Sequence, residues 1–372
     1  MAKKKARFFI NQTGALSIED LSPFEVGVLQ KIGILVNCQP VEDREGSAKY
    51  VEWKNVLIPF RRSSTLEEIS DLHHKVLNGT FNPPQKGADS WVSLFELKRE
   101  FLKKSLKHCS LCGHGCGGKR AQEGKCPIRR KAGCYQFFVH LGEEPEIGTT
   151  LAIELSGCNI HCRFCQKGDL IQTDACGYPL NQTLWEKIKR EHEMNRFHNI
   201  SFLGGNPDQS LMGVLRFLEK SPSWAGRFPI IWHTNGYSSP DLYNLLNGLV
   251  DLWVFDFKYF YDPCALELSR AAHYCQTAQQ ALQKILAMNP DTPVIVRHLI
   301  LPGHWNCCQK PLIDWLTQHK SGIIFHPMGQ YKPMWKITEA DKRLCVPLSG
   351  AEYQMTMEYA QKAGLLLTRL SL

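Results

Sequence analysis

The sequence predicts an α/β fold: six β/α units in a partial, TIM-like barrel, (β/α)6, preceded by a small α+β module. Three observations carry this. From Thr149 onward, short apolar runs alternate with amphipathic stretches at the spacing of strand–helix repeats. The apolar runs lack the polar alternation of a half-exposed sheet, so each strand is buried on both faces, as parallel strands are. Polar residues and glycines gather just after these runs, at the carboxyl ends where such sheets place their sites.

Three segments follow. Residues 1–85 form the α+β module, shaped like a winged helix. Within it, Leu21–Gln30 places a turn before a short helix, and Tyr50–Trp53 and Val56–Phe60 read as strands paired around Lys54-Asn55. Ser64, three residues before Glu67, reads as the start of a capped helix. Asn78–Gly87, rich in Pro and Gly, reads as a linker. Residues 86–148 hold a helix from Ser93 to Lys107 and a cysteine-rich stretch. Residues 149–372 form the barrel, with strands predicted over 150–156, 199–204, 229–234, 251–257, 293–301 and 322–327. Between them lie helices such as Leu184–Met194, Gln209–Lys220 and Pro311–His319.

The chain has ordinary apolar content at 43% and no run of membrane-spanning length. After the basic start Met1–Arg7, the apolar stretch is too short for a secretory signal, so a cytoplasmic location is expected. Fifteen cysteines in such a chain argue for metal or cluster ligation rather than disulfides. The net charge is +8, with basic residues concentrated between Lys98 and Lys131. That patch suits a solvated helix face or an acidic protein partner; no RNA-binding signature accompanies it, which disfavours nucleic acid.

The strongest motif follows the first barrel strand. Cys158, Cys162 and Cys165 stand in a loop opened by Ser156-Gly157. Three thiolates hold three irons of a 4Fe–4S cubane and leave the fourth iron open to chelate an amino-acid moiety such as that of methionine. Zinc sites take four ligands, commonly in paired spacings, which this loop lacks. A second set, Cys109, Cys112, Cys116 and Cys126, supplies four soft ligands in a Gly-rich stretch and suits zinc or an auxiliary iron–sulfur cluster.

Later strands end in Gly204-Gly205-Asn206-Pro207, His233-Thr234-Asn235-Gly236, Asp256-Phe257-Lys258, Arg297-His298 and Phe325-His326-Pro327-Met328-Gly329. From about Cys109 to Lys332, with Pro302-Gly303 included, the chain resembles the pyruvate formate-lyase activating enzyme group of radical S-adenosylmethionine (radical SAM) proteins. The first hundred residues lie outside that resemblance. It departs from the pattern at Asn206, where the group has Glu, at Gly113, where Pro is usual, and at His233, where activases often carry Asp.

The resemblance implies a barrel of the radical SAM type, and a 4Fe–4S cluster with S-adenosylmethionine as cofactors. Gly204, Gly205, Asn206 and Pro207 would take the methionine ammonium, and Thr234 and Asn235 would belong to the cofactor wall. Lys258 and Arg297 would address the carboxylate, His326 would lie near adenosine, and Asp256 near the ribose or a cation. It further implies an oxidoreductase of anaerobic chemistry, fed by a flavodoxin- or ferredoxin-type electron donor. Reductive cleavage would yield a 5′-deoxyadenosyl radical that takes hydrogen from an unactivated C–H bond.

Three substrates remain open: a glycyl radical enzyme to be activated, a large apolar molecule such as a (bacterio)chlorophyll-type tetrapyrrole to be hydroxylated or oxidised, or a precursor peptide. An iron–sulfur scaffold or electron carrier is the non-enzymatic alternative, and the open coordination argues against it.

Overall fold

The computed structural model describes residues 8–10, 14–16, 48–54, 56–81, 90–119, 123, 126, 132–168, 177–288 and 290–368. The helix expected at Leu21–Gln30, most of the expected linker, and Arg120, Lys125, Arg129, Arg130 and Lys131 of the basic patch lie outside these residues.

Phe8–Ile10 (β1) pairs antiparallel with Gly14–Leu16 (β2). Tyr50–Trp53, expected as a strand, is instead part of a single helical turn, Lys49–Glu52 (α1). Four residues carry too little pattern to separate the two, and tertiary contacts decide: Tyr50 is fully buried, edge-on to Phe95, with its hydroxyl 3.2 Å from Ser221 Oγ. The strand at Leu57–Phe60 (β3) pairs antiparallel with Ser90–Ser93 (β4), not with its neighbour in sequence.

The helix between them, Leu66–Leu77 (α2), is capped by Thr65 and Glu68, one residue later than expected. Ser64-Thr65-Leu66-Glu67-Glu68 contains the same capping-box spacing in two registers, so pattern alone does not choose. Leu94–Ser105 (α3) starts where expected, with Ser93 accepting from Glu96 N–H. It packs against α2, and Lys98, expected in the surface basic patch, is fully buried. Its Nζ donates to Asn247 O at 2.8 Å and lies 2.7 Å from His73 Nε2. Arg99 pairs with Glu219 and Lys103 with Glu100, so two of the described cations of the patch are neutralised within the chain.

Gly133–Leu141 (β5) opens the main sheet and was not foreseen in the sequence. It pairs antiparallel with Thr149–Leu155 (β6) and, through two residues, with Tyr178–Pro179 (β7). From β6 on, parallel strands stand side by side in chain order: Asn199–Gly204 (β8), Ile230–Thr234 (β9), Leu252–Asp256 (β10), Val294–Leu299 (β11) and Ile323–Met328 (β12). Gln182–Met194 (α4), Leu211–Glu219 (α5), Pro240–Leu246 (α6), Asp262–Ser269 (α7), Tyr274–Met288 (α8) and Lys310–Thr317 (α9) connect them. This is the predicted six-unit α/β sheet, with strand ends within two residues of expectation. Gly350–Lys362 (α10) follows, and residues 366–368 bond to both sides of Phe325 along β12. No helix among the described residues is long and apolar enough to cross a membrane.

Register places the chemistry. Asp256, Arg297 and His326 stand at one level on three adjacent strands, at their carboxyl ends. Two residues lower, Val254, Ile295 and Ile324 share a level, all fully buried. Charges thus sit on an apolar floor, where water is excluded beneath them.

His298 shows the cost of a titratable group beside that floor. It is buried, its Nδ1 donates to Phe257 O at 2.7 Å, and burial pushes its pKa down to about 4. Because the folded value lies below the unfolded value of 6.5, its contribution is fully present above pH 6.5 and is lost as pH falls towards about 4. The loss approaches about 3 kcal/mol, at 1.36 kcal/mol per unit. Urea midpoints from pH 7 to pH 4 should fall less steeply for His298→Gln than for the unaltered chain.

Candidate functional site

The loop after β6 is held on two sides. On one side, Gly205 N–H bonds to Leu155 O and Asn206 N–H to Gly157 O, each at 2.9 Å. On the other, His161 N–H and Arg163 N–H bond to Ser269 O and Leu268 O at the end of α7. A Cβ on Gly205 would meet Gly157 O at 2.2 Å, so the backbones approach as only glycine permits. Gly205→Ala should therefore displace the turn before Cys158 and lower iron incorporation at least several-fold, with the melting point reduced. Iron content per chain after reconstitution checks this.

Cys158 and Cys162 are buried and Cys165 is half-buried. Asn235 Nδ2 donates to Cys158 Sγ at 3.5 Å and Ser269 Oγ to Cys162 Sγ at 3.0 Å, contacts of the kind that tune cluster sulfurs. Burial, then the neighbouring Cys162, pushes the Cys158 thiol up to about 12, so a thiolate there requires a cation. The three thiols do not gather within 4.8 Å of one another. Thiolates on one tetrahedral ion with 2.3 Å bonds lie about 3.8 Å apart.

Three amides lock this loop to the next strands. Asn159 Oδ1 accepts from Asn235 Nδ2 at 2.8 Å and Asn206 Nδ2 at 3.3 Å, while Asn206 Oδ1 accepts from Asn235 N–H at 3.2 Å. Asn206, in place of the Glu of the resemblance, serves this network. Beneath it lies Asp208, a fully buried carboxylate that the sequence reading passed over. It accepts from Trp232 Nε1, Thr234 Oγ1 and Ser238 Oγ at 2.7–2.8 Å, so the Thr234 hydroxyl is turned inward. The only hint lay in its position two residues after Asn206.

The opposite wall is charged. Lys258 Nζ lies 3.0 Å from Asp256 Oδ2; burial alone would lower the ammonium, but Asp256 outweighs it and the net direction is up. Arg297 makes a bidentate pair with Glu144 and a second contact with Glu143 at 3.2 Å. Glu144 is fully buried and lies 2.6 Å from His326 Nδ1. Burial would raise its pKa, yet Arg297 and His326 together hold it well below the usual carboxylate range. Glu144 was also missed; its signal was the acidic run Glu143-Glu144-Pro145-Glu146 immediately before β6.

His233 completes this wall. Burial first, then Arg297, pushes it down to about 3, and its buried Nε2 has no hydrogen-bond partner among the described residues.

Most of the sequence-predicted residues, with His233, line one cavity of about 270 Å³. It brings together Cys158, Cys162, Cys165, Gly204, Gly205, Asn206, Pro207, Thr234, Asn235, Asp256, Lys258 and Arg297. His326 lies behind Glu144 and lines a neighbouring cavity instead. Glu154, buried and paired with Lys167 at 3.0 Å, adds to the wall from β6. The residues present fit a cluster and a zwitterionic cofactor: soft thiol donors on one loop, close-approaching backbone, and fixed charges of both signs.

The second cysteine set packs on this loop. Cys112 bridges to Ser238, and His114 Nε2 donates to Asn159 O at 2.7 Å. A Cβ on Gly113 would meet the Tyr237 ring at 2.2 Å, which explains why no larger residue stands there. Burial, with Cys126, Cys109 and Cys116 nearby, pushes Cys112 up to about 12. No three of these four donors lie within 4.8 Å of one another.

Comparison with known proteins adds the following. Residues 147–256 match a family described as a 4Fe-4S single cluster domain. An uncharacterized protein of Methanocaldococcus jannaschii is 29% identical over 338 residues, covering 86% of this chain and 94% of that one. Among solved structures, SuiB of Streptococcus suis bound to S-adenosylmethionine is 14% identical over 57% of this chain, with a TM-score of 0.39. The chain spans 48% of that structure's length. QueE from Escherichia coli is 13% identical over 63% of this chain and 92% of its own, with a TM-score of 0.37. The stretch similar to a 4Fe-4S single cluster domain is thus the one that carries Cys158, Cys162 and Cys165 and ends at Asp256.

Proposed function

We propose that the chain is a radical SAM enzyme of the activase-like kind, whose site is the cavity over β6 to β12. The observation that carries this is the convergence of the three-thiol loop with backbone, amide and paired charges around a single cavity. Cys158, Cys162 and Cys165 would hold the cluster, and the Asn159–Asn206–Asn235 amides would fix their loop. Gly204 and Gly205 would offer backbone to an ammonium, Lys258 and Arg297 would face a carboxylate, and Asp256 the ribose. When bound and reduced, the cluster supplies the electron that splits S-adenosylmethionine into methionine and a hydrogen-abstracting 5′-deoxyadenosyl group. Cys109, Cys112, Cys116 and Cys126 are proposed as the ligands of a second centre.

Within this reading the substrate is a polypeptide rather than a tetrapyrrole. A polypeptide can present one glycine at the mouth. Anaerobically reconstituted protein with dithionite and S-adenosylmethionine should release 5′-deoxyadenosine. No release above a cluster-free control contradicts the proposal. Loss of a glycyl radical signal in a candidate partner, with 5′-deoxyadenosine still formed, overturns the activase reading alone.

A further inference from the structure

The turns that follow β10 and β11 bring three thiols together outside the cavity. Cys264 lies in the first turn of α7, and Cys307 and Cys308 lie in a π-helical turn, Trp305–Gln309. The sequence explains that turn. Pro311 has no N–H to bond to the Cys307 carbonyl, and the chain widens instead, with Gln309 N–H reaching His304 O and Lys310 N–H reaching Trp305 O. A wider turn reduces the angle between successive side chains, so neighbouring thiols face the same point.

The three Sγ atoms all lie within 4.8 Å of one another, and Cys264 Sγ is 3.7 Å from Cys307 Sγ. Thiolates sharing one tetrahedral zinc with 2.3 Å bonds stand about 3.8 Å apart. Among the described residues, no other group of three His, Cys, Asp or Glu donors is as tight. A disulfide would use two of these thiols and leave the third, the buried Cys308, without a role. Three soft donors at one point are the ligand set of a thiophilic ion.

We propose that Cys264, Cys307 and Cys308 bind one zinc ion, with its fourth position left to solvent at the half-buried side of the cluster. This site is separate from both cysteine sets discussed above and does not rest on the proposed activity. Its consequence runs along α7. The far end of that helix supplies Leu268 O and Ser269 O to the Cys158–Cys165 loop and the Ser269 hydroxyl to Cys162 Sγ. An ion joining the first turn of α7 to the turn after β11 holds the helix that holds the loop.

The test compares zinc content of the full chain with that of the Cys264→Ser/Cys307→Ser/Cys308→Ser variant after growth in zinc. One fewer zinc per chain in the variant is expected, as is weaker thiolate-to-metal absorption when Co(II) is added to zinc-free protein. Equal zinc in both proteins overturns the proposal, as does a thiol count showing Cys264 and Cys307 oxidised to a disulfide in the unaltered chain. Should the triple variant fail to fold, Cys307→Ser alone decides. Its melting point should respond less to a chelator than that of the unaltered chain, and an equal response overturns the site.

Discussion

Replacing any one of Cys158, Cys162 or Cys165 with Ala is expected to abolish formation of 5′-deoxyadenosine, a loss of more than two orders of magnitude, and to remove the iron of that cluster. In the proposed site each thiolate would hold one iron of a cubane, so its removal leaves that iron without its ligand. Asn159, the adjacent side chain, is fully engaged with Asn235, Asn206 and Tyr237. Cys→Ser is a weaker test, since an alkoxide can still ligate iron. Retained 5′-deoxyadenosine release in any of the three Ala variants removes that cysteine from the cluster. Melting curves of the metal-free proteins should be close to that of the unaltered chain, because the thiols contribute through the metal.

Glu144→Ala lowers stability by about 3–5 kcal/mol, the cost of breaking a buried ion pair. The carboxylate is fully buried, receives both arms of Arg297 and contacts His326, so its removal leaves a buried guanidinium without its bidentate partner. Glu143, more exposed, is Arg297's remaining carboxylate partner on the acidic run. Glu144 is held far below its ordinary 4.5, so its contribution is present above pH 4.5 and lost as pH falls below it. Urea unfolding across this range should show an acid limb in the unaltered chain that flattens in Glu144→Gln. An unchanged midpoint for Glu144→Ala would show that the pair contributes nothing. Arg297→Ala should fall in melting temperature as well as in cofactor affinity, because the same guanidinium serves both Glu144 and the cavity.

The strands were legible because each parallel strand is a continuous apolar run closed by glycine or polar residues, as at Asp256-Phe257-Lys258. The Cys158 loop was legible because ligand spacing is a local property. What remained hidden was relational. Glu144 and Arg297 are partners across more than a hundred and fifty residues, and no local pattern joins them. Lys98 reads as a surface cation until His73 and Asn247 are seen to surround it. β5 was obscured by the aromatic and polar residues Tyr135-Gln136-Phe137-Phe138, whose mixed pattern suits its place next to the sheet's short last strand, β7. The three thiols of α7 and the π-turn come from separate loops and meet only in the fold.

The most direct test of the central claim is the electron paramagnetic resonance spectrum of the reduced, reconstituted protein, recorded with and without S-adenosylmethionine. A cluster held by Cys158, Cys162 and Cys165 keeps one iron open, so adding S-adenosylmethionine should shift the g-values and line shape, and Cys158→Ala should lose the part of the signal that responds to S-adenosylmethionine. A reduced cluster whose spectrum is unaffected by S-adenosylmethionine would mean a closed electron-transfer centre and would contradict the account.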